Sequence, residues 1–528
     1  WLENETWLWM TQGVGSIDLT FSVSNLVPNK PAKAFLKLQS YVTDINKNAH
    51  RVGISINNDN KIYDSLSFDR YQQRVIKGEF NSSLLTNGSN KIKSISFPTT
   101  ASINSVFHDW YEIEYPRSLI LNNDSLQFKF NDYKTSEAVN YEISGYQGSP
   151  ISVYKYEDML NVSKITNFQI QAGRIIFSDI LDSTKNYFIV AVTKILSPKI
   201  YYKKQFRNLR STSNSAEYVI ITNHLLMNSA NEYSVFINQA YNKKVALIKV
   251  GDIYDEFNYG FFSPEPIKDF LMTAYNSWSG SKMEFVLLLG SANYDYYENR
   301  QKQLPAPSHP NLVPSFGIPV SDNWFINWNY SSVYNPVLKI GRIPARTEDD
   351  VRNYLSKHKN YLAQPYSEVN KRFLFFSGGI GNDQNELNQL RSGNQFVIDN
   401  FVKPSPIGGI AHHFYKTLNP NTNFGPFTVT QIQNAIDSSG IFISYLGHSG
   451  TQTWDNSITE AKQLRNNVNA NPLITDFGCS TAKYAEPDVT SFSELFVVSK
   501  DGQAICYIGN TSLGFTSSSL VAPKLFYE

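Results

Sequence analysis

The first part of the chain alternates apolar and polar residues with a period of two. The clearest stretches are residues 16–23, 34–38, 52–56 and 110–115. Clusters of Asn, Asp, Gly and Pro separate them, which is typical of antiparallel strands that bury one face. We therefore predict an antiparallel β-sandwich domain over residues 1–140. Further strand patterns predict a small β domain over residues 141–206.

The pattern changes after the polar segment 207–214. Apolar runs at residues 218–222, 245–250 and 285–290 alternate with helical segments such as 264–278 and 347–362. Strands and helices in this rhythm build a mostly parallel sheet that is covered by helices. Residues 207–528 are therefore predicted to form an α/β domain.

Two of the apolar strands in this domain end on reactive side chains. Residues 441–448 lead to His448, and residues 473–479 lead to Cys479. Parallel strands present their carboxyl ends at one edge of a sheet, and a neighbouring imidazole favours the thiolate form of a cysteine. This pattern predicts a nucleophile and its base. A loop histidine without a role and a small buried cysteine fit it as well.

The residues around His448 bear on the kind of nucleophile. Ser449 is not a serine-hydrolase nucleophile, because Thr451 stands where the second glycine of that motif is required. The glycines allow the backbone to approach a substrate carbonyl, so the N–H groups of Ser449 and Cys479 could form an oxyanion hole. A simple glycine-rich turn is the alternative.

Composition narrows the function classes. Lys and Arg total 47 against 46 Asp and Glu, which removes the electrostatic argument for nucleic acid or an anionic membrane. No apolar run reaches the roughly 18 residues that a transmembrane helix needs. The chain begins at Trp1 without a signal segment, so we expect a removed leader or a fragment of a longer protein.

Several motifs together resemble the gingipain family of caspase-like cysteine peptidases. They are residues 445–450 (YLGHSG) with Trp454, residues 477–481 (FGCST), residues 287–292 and residues 340–344. The resemblance covers roughly residues 210–528. It implies a caspase-like α/β fold, with His448 as general base and Cys479 as nucleophile. We assign Trp454 and Ser444 to the substrate pocket.

The N-terminal β region and residues 479–494 resemble, within that family, the surface sortase of the bacterial type IX secretion system. This implies cleavage of C-terminal sorting domains from exported proteins and transfer of the new carboxyl end to a surface glycolipid. The implied location is the cell surface of a Gram-negative bacterium, associated with the outer membrane. The implied partners are the exported substrates, outer-membrane secretion components and the glycolipid, with no nucleic acid.

The sequence departs from the family pattern at two places. Ser449 stands where the family usually has glycine, and Arg391 lies where an acidic pocket residue is expected. A preference for Arg or Lys before the scissile bond is therefore not predicted. The loop 377–383 has no acid at the strand end, so Asp383 or Asp322 is the candidate that orients His448. A water or a backbone carbonyl could do the same.

No cofactor is predicted to be required. His412 and His413 are adjacent and point to opposite faces of a strand, and no His-Glu-x-x-His motif occurs, which argues against a zinc mechanism. The family resemblance implies that structural calcium is possible through Asp295, Asp322 and Asp488. Solvated loop carboxylates are the alternative.

A second class of function uses the other cysteine. Cys506 lies in an apolar strand, which favours burial as a small hydrophobe. If it formed a disulfide with Cys479, the sulfur could not attack a substrate. The chain would then be a non-catalytic surface binding or assembly protein with a degenerate peptidase fold.

Overall fold

The computed structural model describes most of the chain. The residues outside the described part are 1–7, 9, 41–47, 70–71, 102–103, 131–133, 159, 201–202, 298–307, 318, 329–335, 419–423 and 456–457. The chain divides into two compact units, residues 2–203 and residues 204–528. The division into three domains at residues 140 and 206 stays a prediction.

The first unit begins with two antiparallel sheets that share one core. Their strands are β1 Met10–Gln12, β2 Gly15–Val23, β3 Pro31–Ser40, β4 His50–Ile56, β5 Asp64–Phe68, β6 Gln73–Asn81, β7 Gly88–Ser96 and β8 Val106–Glu114. The strand orders are β1-β8-β3-β6 and β2-β7-β4-β5. Side chains from both sheets, among them Leu36, Ile54 and Ile92, bury each other, which confirms the sandwich.

Two further antiparallel sheets complete the first unit. Their strands are β9 Ser125–Lys129, β10 Lys134–Ile143, β11 Ile151–Tyr156, β12 Val162–Ile165, β13 Gln169–Gln171, β14 Arg174–Asp182 and β15 Asn186–Ala191. They are ordered β12-β11-β15-β9 and β10-β14-β13. Aromatic side chains fill the core between them; Tyr141, for example, stacks on Phe177 with ring centroids 4.9 Å apart.

The second unit contains two parallel sheets, each with helices on its faces. The elements of the first are β16 Tyr218–Thr222, α1 Met227–Tyr241, β17 Val245–Lys249, α2 Val250–Phe257, α3 Glu265–Ser277, β18 Phe285–Leu289, β19 Lys339–Ile343 and α4 Glu348–Ala363. The strand order is β17-β16-β18-β19. Val219 and Ile220 are both fully buried, on opposite faces, as a sheet covered on both sides requires.

The second parallel sheet has the order β21-β20-β22-β25-β26. Its elements are β20 Arg372–Ser377, α5 Gln384–Val397, β21 Ile410–Tyr415, α6 Val429–Ser438, β22 Phe442–Leu446, β23 Ser449–Gly450, β24 Thr453–Trp454, β25 Leu473–Asp476, α7 Phe492–Val497, β26 Cys506–Gly509 and α8 Thr516–Tyr527. The predicted α/β class is thereby confirmed. In the described part of the chain, every helix is too short or too polar to span a bilayer.

Candidate active site

His448 and Cys479 follow neighbouring strands at one edge of the second parallel sheet. β22 and β25 pair in parallel, and Tyr445 is in register with Asp476. His448 lies two residues beyond the end of β22, and Cys479 lies three residues beyond the end of β25. Both residues line one small cavity of about 40 Å³. The structure therefore brings the two predicted reactive side chains to the same place.

A carboxylate that the sequence interpretation missed contacts the histidine. Glu386 Oε1 accepts a hydrogen bond from His448 Nε2 at 2.8 Å. The other oxygen, Oε2, accepts from the backbone N–H of Ile380 at 2.8 Å. With its proton on Nε2, the neutral imidazole keeps a lone pair on Nδ1, which can accept a proton from a thiol. Glu386 thus fixes the tautomer that a general base needs.

The position of Glu386 follows from the start of α5. Asp383 is the N-cap of this helix and accepts from the backbone N–H groups of Asn385 and Glu386. Glu386 occupies the third helical position, where an acid usually bonds back to the N-cap N–H in a capping box. Here the Asp383 N–H donates to Ile380 O instead, so the Glu386 carboxylate is free to bond His448. The helix N-terminus also favours a negative charge at this position.

The two predicted orienting acids lie elsewhere. Asp383 caps α5. Asp322 accepts from Arg342 Nε at 2.7 Å and from Arg342 Nη2 at 2.8 Å, in a buried bidentate pair. Neither is the carboxylate that contacts His448. The pattern Asp383-x-x-Glu386 at a helix start was the available signal for Glu386, because an acid at that position either caps the helix or faces its neighbours.

The thiol of Cys479 lies against the segment that follows β26. The backbone N–H of Gly514 donates to Cys479 Sγ at 3.3 Å, and Cys479 Sγ lies 3.7 Å from the carbonyl oxygen of Gly514. Thr516 and Ser519, at the start of α8, line the same cavity. This wall was not predicted from the sequence.

A buried carboxyl group holds the loop that leads to Cys479. Asp476 is the last residue of β25 and is 2% exposed. It accepts hydrogen bonds from Trp454 Nε1 at 2.6 Å, Tyr507 Oη at 2.5 Å and the backbone N–H of Gly478 at 2.8 Å. Burial raises the pKa of this carboxyl group, and the hydrogen bonds oppose that rise. The three donors fix the loop between β25 and the nucleophile.

The two predicted pocket residues are in the core. Trp454 is fully buried and stacks on Tyr445 with ring centroids 4.7 Å apart. Ser444 is also fully buried, within β22. The Tyr445 hydroxyl donates to the carbonyl oxygen of His448, and burial raises its pKa well above the usual value. Tyr445 thereby supports the histidine loop, and neither Trp454 nor Ser444 lines the cavity.

The glycine-rich loop after β20 is a tight turn. The backbone N–H of Gly379 donates to Asp455 Oδ2 at 2.7 Å, and Lys416 Nζ lies 3.1 Å from the same oxygen. A Cβ on Gly378 would lie 2.5 Å from the Tyr445 hydroxyl oxygen, so only glycine fits there. The turn brings Ile380 to the carboxylate of Glu386.

The structure places Ser449 next to Cys479. Ser449 begins β23, and its hydroxyl donates to the carbonyl oxygen of Cys479 at 2.7 Å. No acceptor among the described residues contacts the backbone N–H of Cys479. The assignment of the backbone N–H groups of Ser449 and Cys479 as the oxyanion hole stays a prediction.

Both cysteines are free thiols. Cys506 is in register with Leu473 at the start of β25, whereas Cys479 lies beyond its other end. At about 3.3 Å per residue, their Cα atoms are roughly 10 Å or more apart, beyond the reach of a disulfide. Burial raises the pKa of Cys506. This geometry does not support the disulfide interpretation.

The proposed calcium ligands are not gathered into a site. Among the described residues, no group of three or more His, Cys, Asp or Glu side chains could hold a metal ion. Both oxygens of Asp322 are bonded to Arg342. These residues do not fit a calcium site as they stand, and structural calcium remains an untested prediction.

Comparison with known proteins gives one family and one fold. The sequence model of Peptidase family C25 matches residues 211–528. The crystal structure of dimeric latent PorU from Porphyromonas gingivalis superposes with a TM-score of 0.52 at 14% identity, covering 66% of this chain and 35% of that chain. The shared fold confirms the caspase-like expectation. A structure titled "Structure of Protease" has a TM-score of 0.40 at 14% identity over 57% of this chain and 61% of its own. No curated protein matches the chain.

Proposed function

The chain belongs to Peptidase family C25, and from that premise we propose that it is a surface sortase that uses Cys479 as its nucleophile. Membership in the family makes it a cysteine peptidase. The observation that carries the assignment of the site is one cavity that Cys479, His448 and Glu386 all line, with Glu386 hydrogen-bonded to His448 Nε2. The PorU-like fold supports the sorting role.

The reaction begins with transfer of the thiol proton from Cys479 Sγ to His448 Nδ1. The thiolate attacks the scissile carbonyl carbon, and the oxyanion is stabilised by the backbone N–H groups of Ser449 and Cys479. The C–N bond breaks, and His448 returns the proton to the departing amine. The substrate's new carboxyl end is then a thioester on Cys479.

The thioester can be resolved in two ways. Water gives hydrolysis, and an amine or hydroxyl group of a surface glycolipid gives transfer. In both cases His448 removes the proton of the attacking group, and the thiol is regenerated. We propose that the substrates are exported proteins with C-terminal sorting domains, handled together with outer-membrane secretion components at the surface of a Gram-negative bacterium. The chain spans about a third of PorU, since it covers 35% of that chain.

The decisive experiment replaces the nucleophile in the producing cell. Cys479→Ala should leave exported cargo at its full length with the sorting domain attached, whereas Cys506→Ala should process it normally. The mass of the new carboxyl end separates hydrolysis from transfer. Cargo of mature length in the Cys479→Ala strain would overturn the proposal in favour of the non-catalytic binding protein.

A further inference from the structure

The carbonyl group of Cys479 is held by a side chain from the loop that carries His448. Ser449 Oγ donates to Cys479 O at 2.7 Å. A Cβ on Gly478 would lie only 2.1 Å from Ser449 Oγ, so the serine sits directly against the residue that precedes the cysteine. Because Ser449 follows His448 in the chain, this contact links the two loops that meet at the cavity.

Both peptide planes that flank Cys479 are fixed by residues outside its own loop. The carbonyl of Gly478 accepts from Asn510 Nδ2 at 2.6 Å, which holds the plane before the cysteine. In the plane after it, the carbonyl accepts from Ser449, and the N–H of Ser480 donates to Ser512 O at 2.8 Å. Because two planes define φ and ψ of the residue between them, these bonds set the direction of the Cα–Cβ bond of Cys479, while the N–H of Gly514 contacts Sγ itself.

The backbone that these bonds hold includes a residue in a disfavoured conformation. Ser480 has φ of 62°, in the left-handed region that residues with a Cβ disfavour. A turn of this kind persists where its surroundings over-determine it. If the hydroxyl of Ser449 is removed, we expect the plane after Cys479 to rotate, and the cysteine side chain to rotate with it.

We propose that Ser449 is a positioning residue that holds Cys479 in the cavity that His448 also lines, through its hydrogen bond to the Cys479 carbonyl. The inference rests on the proposed peptidase function and deepens it. The same bond helps to fix the backbone of Cys479, including its N–H group. No described residue accepts a hydrogen bond from that N–H group. Ser449 therefore acts on the chemical step and not on the binding of substrate.

The test measures inactivation of the full chain by a peptidyl acyloxymethyl ketone with alanine at its reactive end. Saturation kinetics separate the inactivation rate constant, kinact, from the binding constant, KI. Ser449→Ala should lower kinact about three- to tenfold, the range expected for one neutral hydrogen bond, with KI unchanged within about twofold. Ser449→Thr keeps the hydroxyl and should restore most of kinact.

The matched control is Ser229→Ala. Ser229 is a buried serine whose hydroxyl donates to Leu226 O at 3.1 Å in α1 of the same unit. This variant should show wild-type kinact with a fall in Tm similar to that of Ser449→Ala. The inference is overturned if Ser449→Ala reacts like wild type, if the threonine variant restores nothing, or if Ser229→Ala lowers kinact equally.

The proposed peptidase function and the inference about Ser449 can be refuted separately. If the wild-type chain gives no adduct on Cys479 by mass spectrometry, the peptidase assignment of the site fails, and the inference about Ser449 fails with it. If the wild-type chain reacts at Cys479 and Ser449→Ala reacts at the same rate, only the inference about Ser449 fails.

Discussion

Glu386 and His448 form a hydrogen-bonded pair, with 2.8 Å between Glu386 Oε1 and His448 Nε2. The side chain of Glu386 is 15% exposed, whereas that of His448 is 48% exposed. The carboxylate is thus the fixed partner, because the N–H of Ile380 holds its second oxygen. A histidine that is this exposed depends on such a partner to keep one orientation and one tautomer.

Removing this carboxylate should slow the chemistry without unfolding the protein. Glu386→Ala is expected to lower kinact for the ketone probe by about tenfold to a hundredfold, the range for a hydrogen bond to a charged group. Glu386→Gln should lose less, because its amide oxygen still accepts from Nε2. Glu348→Ala is the control, since Glu348 lies in the first turn of α4 and not at the cavity. Equal rates for Glu386→Ala and wild type would contradict a role in orienting His448.

The two thiols should differ sharply toward iodoacetamide. Cys479 lines the cavity beside His448, whereas burial raises the pKa of Cys506 and keeps it as the unreactive thiol near neutral pH. Native protein at pH 7.5 should therefore carry one adduct, at Cys479, by peptide mass spectrometry. His448→Ala should slow that labelling, and denaturant should expose Cys506 to a second adduct. Labelling of Cys506 before Cys479 would be the opposite result.

The sequence was sufficient to predict the sheet edge but not all of its lining. β22 and β25 are apolar runs of the length of buried strands, and their separation permits one crossover, so their parallel pairing could be predicted and is confirmed. Glu386 could not be chosen over Asp383, because the start of α5 explains an acid at either position, and the sequence does not reveal that Asp322 pairs with Arg342. Contact between segments 62 residues apart leaves no periodicity in the sequence.

The contribution of α8 to the lining of the cavity could not be predicted for a different reason. Thr516–Tyr527 contains Ser517, Ser518 and Pro523, which interrupt an apolar helical pattern. Leu520 and Tyr527 nevertheless pack against the core that contains Leu390 and Phe477. The burial of Trp454 was equally unpredictable, because its partners Asp476 and Tyr507 come from strands that follow it in the chain.

The free energy of unfolding should decrease in mild acid, in part because of His413. Its Nε2 lies 2.9 Å from Ser377 Oγ, and burial lowers its pKa to about 4, with a smaller contribution from Arg391. Between pH 6.5 and 4 the unfolded chain binds a proton that the folded chain does not, so the free energy of unfolding decreases as pH falls through this window. His413 alone should account for about 1–2 kcal/mol of the loss between pH 7 and pH 5, and His108, whose pKa burial also lowers to about 4, adds to it.

Urea unfolding at the two pH values measures this loss. His413→Gln should reduce the difference between pH 7 and pH 5, because it removes the group that titrates. The exposed His224, changed to Gln, should retain the wild-type difference. If His413→Gln and wild type lose the same stability on acidification, His413 is not the group responsible.

The cavity at Cys479 should favour a small uncharged residue before the scissile bond. Its volume of about 40 Å³ is little more than the roughly 30 Å³ that one water molecule takes in the liquid, and Leu390, Thr516 and Ser519 in its lining are uncharged. Its carboxylate, Glu386, is already bonded to His448 and Ile380. Ketone probes ending in alanine should therefore react at least about tenfold faster than probes ending in arginine, since an unpaired guanidinium is costly to bury.

A designed charge tests the same cavity in the other direction. Ser519→Asp places a carboxylate in the lining and should raise the relative rate of a probe ending in lysine, because the buried charges can then pair. Ser519→Asn is the matched control, with nearly the same shape and no charge. The rate ratio of lysine to alanine probes should rise for aspartate and stay low for asparagine. An equal rise in both variants would mean that size, and not charge, limits this cavity.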